Sequence, residues 1–173
     1  MSEYSKKFQD FIEALSKKKA HPGGGSVLAL NFCLGVALLE KALSFSKIET
    51  PLYKELKKEK EKILKFVDED GKLFSKVLRE KNKERKKYFL KKLENISFYL
   101  GKTSFRILKM MKEKRKEVKR VIKDDFSLGA KLLIIVIKGC LRNLEANQRL
   151  FSQRTGNIDK LKEYIKELRW VKF

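Results

Sequence analysis

The sequence predicts an all-α fold: a single-domain antiparallel helix bundle of about six to seven helices over residues 1–173, two of them long and largely buried. Three observations lead there. Only two prolines occur, Pro22 and Pro51, and none follows Pro51, so nothing interrupts helix formation over the rest of the chain. Apolar residues recur at steps of three and four, the spacing of one helix face, and no stretch alternates as a strand does. The chain has 173 residues, of which 42% are hydrophobic, enough for one domain with a real core.

The first helix covers residues 3–18. Phe8, Phe11, Ile12 and Leu15 share one face, and lysines close its C-terminal end, where cations suit the helix dipole. Residues 19–25 are a loop. The second helix runs from Ser26 to about Ser46 and carries almost no charge before Glu40. In it Ser26, Ala29, Cys33 and Ala37 make a stripe of small side chains that lets another helix or a ligand come close. Apolar residues on its other faces predict burial nearly all round. The apolar run 27–39 is shorter than the roughly 20 residues that span a bilayer. Pro51 separates this helix from a long one, about Leu52 to Arg79. Its seam reads Leu56, Lys60, Ile63, Val67, Asp70, Phe74 and Val77. Residues 80–87 are a charged connector or a solvated turn. Amphipathic helices follow at 88–100 and 102–122, either separate or one helix broken at Gly101. The basic stretch from Lys112 to Lys123 is most simply a solvated face. Asp124-Asp125 opens the next helix, which runs to about Ser152, with a carboxylate placed to accept from free N–H groups. Thr155-Gly156-Asn157 is a turn, residues 158–169 are a last short helix, and Trp170 to Phe173 form an aromatic tail.

Lys and Arg number 43 against 22 Asp and Glu, a net charge of +21. Such a charge favours anionic partners: nucleic acid, an acidic membrane surface or a polyanionic small molecule. The plain alternative is a solvated, lysine-rich surface. No nucleic-acid motif is present, and no helix has the clean basic and aromatic split of a membrane-surface element. Lysine and glutamate outweigh asparagine and glutamine, a thermophile-like composition. Cys33 and Cys140 lie in apolar segments without CxxC spacing and read as small core residues in a reducing compartment. With no signal segment, the expectation is a soluble, cytoplasmic protein without a membrane span.

Few residues invite chemistry. Pro22-Gly23-Gly24-Gly25-Ser26-Val27 is the one glycine cluster, and it opens an apolar helix. Backbone N–H groups there are placed to receive an anion, unless the glycines are only a flexible approach to the helix. The loop lacks the Lys-Ser or Lys-Thr of a nucleotide-hydrolase phosphate loop and the preceding strand of a dinucleotide fingerprint. Asp70 falls in the middle of an apolar stripe. A carboxylate so placed is paired, hydrogen-bonded or protonated. It serves either as an acid or base of raised pKa or as a structural partner to a lysine. Asn143 and Asn147 share a seam with Asp125, Gly129, Leu132 and Val136. Their amides either fix a heterocycle or tie helices together. Capping alone explains Asp125. His21, the only histidine, borders the loop as a general base or as an idle surface residue. No Ser-His-Asp or Cys-His arrangement and no metal cluster can be assembled.

Taken together, these stretches resemble the cyclodeaminase/cyclohydrolase family, the folate-processing domain of formiminotransferase-cyclodeaminase and of free-standing bacterial proteins. Pro22 to Val27, heading an Ala/Leu-rich helix, looks like the family's opening motif. Asp70-Gly71-Lys72-Leu73-Phe74 resembles its Asp-x-x-x-Phe, and Asp125 falls at its Ser-Asp helix start. Gly139 to Asn147 is similar to its Gly-x-x-x-Asn-Val-x-x-Asn. Here Asp124 stands for the family's serine and Leu144 for its valine. The resemblance implies a helical homodimer that binds a tetrahydrofolate in a cleft, with no metal and no cofactor beyond that substrate. It implies formiminotetrahydrofolate cyclodeaminase or the related methenyltetrahydrofolate cyclohydrolase activity. Asp70 and Asp125 are then the acid/base and pterin-orienting candidates. Gly23, Gly24, Gly25 and Ser26 hold a polar part of the folate, and Asn143 and Asn147 bind the pterin or orient an aspartate. The basic surface suits a polyglutamylated folate tail. The competing expectation is a diverged, non-catalytic protein of the same fold that binds a polyanion such as nucleic acid.

Overall fold

The computed structural model describes residues 3–151 and 156–168, which form seven α-helices and one 3-10 turn, with no strand among them. In order these are α1 (Glu3–Ser16), α2 (Gly24–Ser46), α3 (Leu52–Leu64), α4 (Phe66–Arg79), α5 (Lys83–Lys114), the 3-10 turn Arg120–Ile122, α6 (Lys123–Phe151) and α7 (Asn157–Glu167). Thr155 of the expected turn, Ser152 and the aromatic tail at 170–173 lie outside the described residues.

Helices α2 and α6 form the centre and run antiparallel. Leu28 meets Gly139 at one end, and Lys41 Nζ pairs with Asp125 Oδ2 at 2.5 Å at the other. Between these contacts the backbones nearly touch. A Cβ on Gly35 would lie 3.0 Å from the Gly129 carbonyl oxygen, and one on Gly129 would lie 2.8 Å from that of Gly35. Phe32, Leu39 and Leu43 of α2 and Leu133, Ile137 and Leu144 of α6 are buried around this crossing. Burying each such side chain stabilises the fold by roughly 1.5–3 kcal/mol.

The long helix expected over 52–79 is two helices, α3 and α4, that meet at Lys65. That residue keeps helical dihedrals (φ −65°, ψ −27°), so the chain bends and does not turn away. Side chains of α2 enter on both sides of the bend. Cys33 Sγ donates to the Lys60 carbonyl at 3.6 Å, and Ser26 Oγ donates to the Val67 carbonyl at 2.6 Å. A side chain inserted at a helix ladder bends it in this way. The expected seam survives the bend: Leu56, Ile63 and Val77 are fully buried, Val67, Asp70 and Phe74 are half-buried, and Lys60 pairs with Glu40. Of the small-residue stripe, Ser26, Ala29 and Cys33 are buried and Ala37 is exposed.

Residues 83–114 are one helix, α5, and not two. Asn82 caps it by accepting from the Arg85 N–H at 3.0 Å. Gly101 marks a helix crossing and not a break, since a Cβ there would sit 2.8 Å from Leu161 Cδ2 of α7. Glu59 of α3 is buried and accepts from Tyr99 Oη at 2.6 Å and Arg106 Nη2 at 3.0 Å, which clamps α3 to α5. The basic stretch after Lys112 is only partly a solvated face, because Val118 and Ile122 enter the core.

One expectation of burial is corrected, and the apolar face of α1 is left uncovered. Helix α1 packs on no other described helix, and Phe8, Ile12 and Leu15 of its apolar face are exposed. Helix α2 is not covered all round. It is 23 residues long and apolar enough to cross a membrane by length and composition, yet half of its most apolar window is buried in the bundle. On the outer side, Leu34 and Phe45 of α2 remain 43% and 53% exposed, beside Leu128 and Ile135 of α6 at 51% and 48%.

Candidate active site

The N-terminal end of α2 forms one wall of a cleft. Gly23 caps the helix in extended backbone (φ −139°, ψ −164°) with no side-chain cap, and α2 begins at Gly24, two residues before the expected Ser26. The first N–H groups of a helix lack helical acceptors and carry the positive end of its dipole. Asp70 of α4 lies directly on this turn. A Cβ on Gly25 would fall 2.1 Å from Asp70 Oδ2 and 2.3 Å from Oδ1, so glycine is required there by close approach. No glycine among the described residues has positive φ.

Burial raises the Asp70 pKa above the ordinary carboxylate range, and the positive charge of a protonated His21 works against that rise. The α2 dipole also favours the charged carboxylate, but desolvation prevails. His21 lies behind Asp70 on the α4 backbone. A Cβ on Gly71 would sit 2.0 Å from its Nδ1. That nitrogen is buried without a hydrogen-bond partner, and Nε2 is 3.7 Å from Asp68 Oδ1.

Helices α4, α5 and α6 complete the cleft, whose volume is about 340 Å³. Volumes of roughly 300–1,000 Å³ are usual for small-ligand sites. The lining is divided. Asp70, Ser97, Asn143, Asn147 and the glycine turn are polar, whereas Phe74, Leu93, Ala146 and Leu150 are apolar. Leu93 and Ser97 are 3% and 4% exposed and make the floor. Exposed Lys19 and Leu150 stand at the mouth. Neither Asn143, Asn147 nor Ser97 has a side-chain hydrogen bond among the described residues. A flat heterocycle placed here would find an apolar face, uncommitted hydrogen-bonding edges and one carboxyl able to move a proton. Among the described residues no three His, Cys, Asp or Glu side chains group as metal ligands.

Gly23, Gly24, Gly25, Asp70, Asn143 and Asn147 thus meet in one cleft, although they come from three separate segments. Ser26 and Asp125 do not join them. The Ser26 side chain is fully buried and its hydroxyl is used on the Val67 carbonyl. Asp125 shares a helix face with Asn143 but lies roughly 27 Å away along α6, at about 1.5 Å rise per residue. It pairs there with Lys41. A common face on a long helix does not make a common site.

Sequence reasoning missed Lys19, Ala20, Leu93, Ser97, Ala146 and Leu150. A signal existed for Ser97. Leu90, Leu93, Ser97, Leu100 and Ser104 step along one buried face of α5, so Ser97 is a polar residue on an apolar seam, as Asp70 is. Helix serines often bond their own backbone, which makes such a signal weak.

Comparison with known proteins matches residues 7–166 to the family model described as formiminotransferase-cyclodeaminase. Among solved structures, the chain is similar to formiminotetrahydrofolate cyclodeaminase from Thermotoga maritima, at 18% identity and a TM-score of 0.69. The likeness covers 94% of this chain and 88% of that one, and at such identity it speaks for the helical fold. No curated protein matches the chain.

Proposed function

The chain belongs to the formiminotransferase-cyclodeaminase family, and from that premise we propose that it is a cytoplasmic folate enzyme of one-carbon metabolism, a formiminotetrahydrofolate cyclodeaminase. The observation that carries this reading is the convergence, in one cleft, of the glycine turn, a half-buried carboxyl and two uncommitted asparagine amides.

In the proposed reaction N10 of the protonated 5-formimino group's own tetrahydrofolate attacks the formimino carbon on N5, and a carbon–nitrogen bond forms. The carbon becomes tetrahedral. N10 gives up its proton, the former imino nitrogen takes one up, and its bond to carbon breaks. Ammonia leaves, and 5,10-methenyltetrahydrofolate remains. One proton is removed and one is delivered, so a single carboxyl can serve both steps. Asp70 is assigned that role: ionised, it accepts from N10, and then it donates to the leaving nitrogen. Its raised pKa brings the two protonation states closer in energy near neutral pH.

The pterin lies between Phe74 and the Asn143/Asn147 edge, with its polar groups bonded to the amides. The Gly23–Gly25 turn receives a polar group at the α2 dipole. Lys19 at the mouth meets the glutamate tail, including a polyglutamyl one. The scheme requires no cofactor beyond the tetrahydrofolate substrate. The exposed apolar outer sides of α2 and α6 support a homodimer closed over them.

The test is absorbance of purified protein with 5-formimino- or 5,10-methenyltetrahydrofolate. Appearance of the methenyl chromophore from the first substrate marks the cyclodeaminase. Its loss from the second marks the related cyclohydrolase. Neither change, together with no folate binding by calorimetry, sinks the folate reading and leaves the basic, non-catalytic alternative.

A further inference from the structure

We propose that Ser97 is a substrate-contacting residue that reads the heterocycle's hydrogen-bonding edge at the floor of the cleft. The inference rests on the folate reading above, but its observation is independent of the family motifs, none of which lies in α5.

Ser97 is 4% exposed and still lines the cleft. A serine inside a helix commonly returns its hydroxyl to the carbonyl one turn back. Ser75 Oγ does so to the Gly71 carbonyl at 2.8 Å and Ser104 Oγ to the Leu100 carbonyl at 2.9 Å, and Ser16 Oγ donates to the Glu13 carbonyl at 2.9 Å. Ser97 makes no such bond, and its hydroxyl has no partner among the described residues. Its hydroxyl is not among the side-chain atoms sealed from solvent without a partner, so it opens to the cleft, where a ligand group can pair with it.

The chemistry of that ligand follows from the surroundings. Ser97 stands one turn from buried Leu93 and faces the same space as Asn143 and Asn147. A hydroxyl donates and accepts, and an amide does both, so these three side chains suit a ring edge that alternates carbonyl oxygen with N–H groups. The pterin amide and amine edge has that pattern. The glutamate tail, an anion, is matched instead by Lys19 at the exposed mouth. Ser97 therefore belongs to ring recognition and not to tail recognition.

The experiment is calorimetric titration of wild-type, Ser97→Ala and Ser104→Ala protein with 5-formyltetrahydrofolate, a stable folate, and with 6-methyltetrahydropterin, which lacks the tail. Thermal unfolding is run on the same samples. Loss of one ligand hydrogen bond in Ser97→Ala should weaken both ligands by about three- to ten-fold. Its melting temperature should not fall, because no bond within the fold is removed. Ser104→Ala should bind normally and melt lower. Equal affinities for wild type and Ser97→Ala, or a loss confined to the ligand that carries the tail, would overturn the assignment. So would a lowered melting temperature with unchanged affinity, the mark of a structural serine. If wild-type protein binds neither ligand, the folate reading itself fails, and the role of Ser97 falls with it.

Discussion

The contact between Gly25 and Asp70 gives the most discriminating perturbation, Gly25→Ala. In a helix interior alanine is favoured over glycine by about 1 kcal/mol, so propensity alone makes this change stabilising. The structure reverses that expectation. The new Cβ would stand 2.1 Å from Asp70 Oδ2, 2.2 Å from Cγ and 2.3 Å from Oδ1. Ordinary contact needs well over 3 Å, so the carboxyl must move by about 1 Å or the helices must separate. Overpacking of this kind costs about 1–3 kcal/mol, which leaves a net loss of zero to about 2 kcal/mol. At about 2–4 °C per kcal/mol for a chain of this size, the melting temperature falls by no more than about 8 °C. Activity suffers far more, because about 1 Å of misplacement at a reacting centre costs on the order of 100-fold. Gly156→Ala is the control: its Cβ also meets nothing within 4 Å, and Gly156 stands outside the cleft. It should hold or gain stability, by up to about 1 kcal/mol, and keep its kcat. The assay is methenyl formation by absorbance beside thermal unfolding. Wild-type turnover in Gly25→Ala, or the same behaviour in both variants, would refute the placement of Asp70 as the group that moves the proton.

Asp70→Asn should lower turnover by about 10²- to 10⁴-fold without loss of helical circular dichroism. Its pH dependence has two signs. The raised pKa makes the Asp70 contribution to stability favourable while the group is protonated, and that contribution is lost as pH rises through the raised value, so the Asn variant melts no lower than wild type at neutral pH. Turnover needs the ionised form and fades as pH falls through the same value, a limb that the wild-type rate profile should place above the ordinary carboxylate range. Asp125→Asn should leave turnover within about two-fold, since Asp125 lies about 27 Å from Asn143 by helical rise; a 100-fold loss would return it to the chemistry. Ile135→Lys should halve the mass seen by light scattering, because a charge placed on the exposed outer side of α6 cannot be buried in a dimer; an unchanged mass places the contact between copies elsewhere.

Much of the fold was legible because helix periodicity is a local property. The seam from Leu56 to Val77 holds across the α3–α4 bend, whereas on α6 the core face of Phe126, Leu133, Ile137 and Leu144 lies beside the one its spacing describes, where Asp125, Leu132, Asn143 and Asn147 are half-buried. The bend at Lys65 was not legible, since it coincides with hydrogen bonds from Ser26 and Cys33 of another helix. Gly101 misled for a related reason. A glycine that admits Leu161 and a glycine that ends a helix look alike until the partner is known. The exposed face of α1 follows the same logic, because amphipathicity states that a face is apolar and not what covers it.

For the site, residue type was the guide, and distance was its limit. Asp70, Asn143 and Asn147 stood out as polar groups on apolar seams, and the bundle brings them together with Gly23 to Gly25. Asp125, which capping alone explained and only the resemblance drew into the site, lies at the far end of the same helix, paired with Lys41. Ser26 followed the glycines in sequence, but the first turn of α2 rotates it inward, onto Val67. Leu93, Ser97 and Leu150 escaped notice because apolar residues and serines are common in helices and acquire meaning only as neighbours of the cleft.

The most direct test of the central claim is simultaneous measurement of ammonia release and methenyl absorbance from 5-formiminotetrahydrofolate, with wild-type and Asp70→Asn protein. Asp70 in the cleft as the proton carrier requires the two products to appear one to one with wild type and to vanish together in the variant. Wild-type protein that binds the substrate but yields neither product, or Asp70→Asn protein that yields both at the wild-type rate, would contradict it.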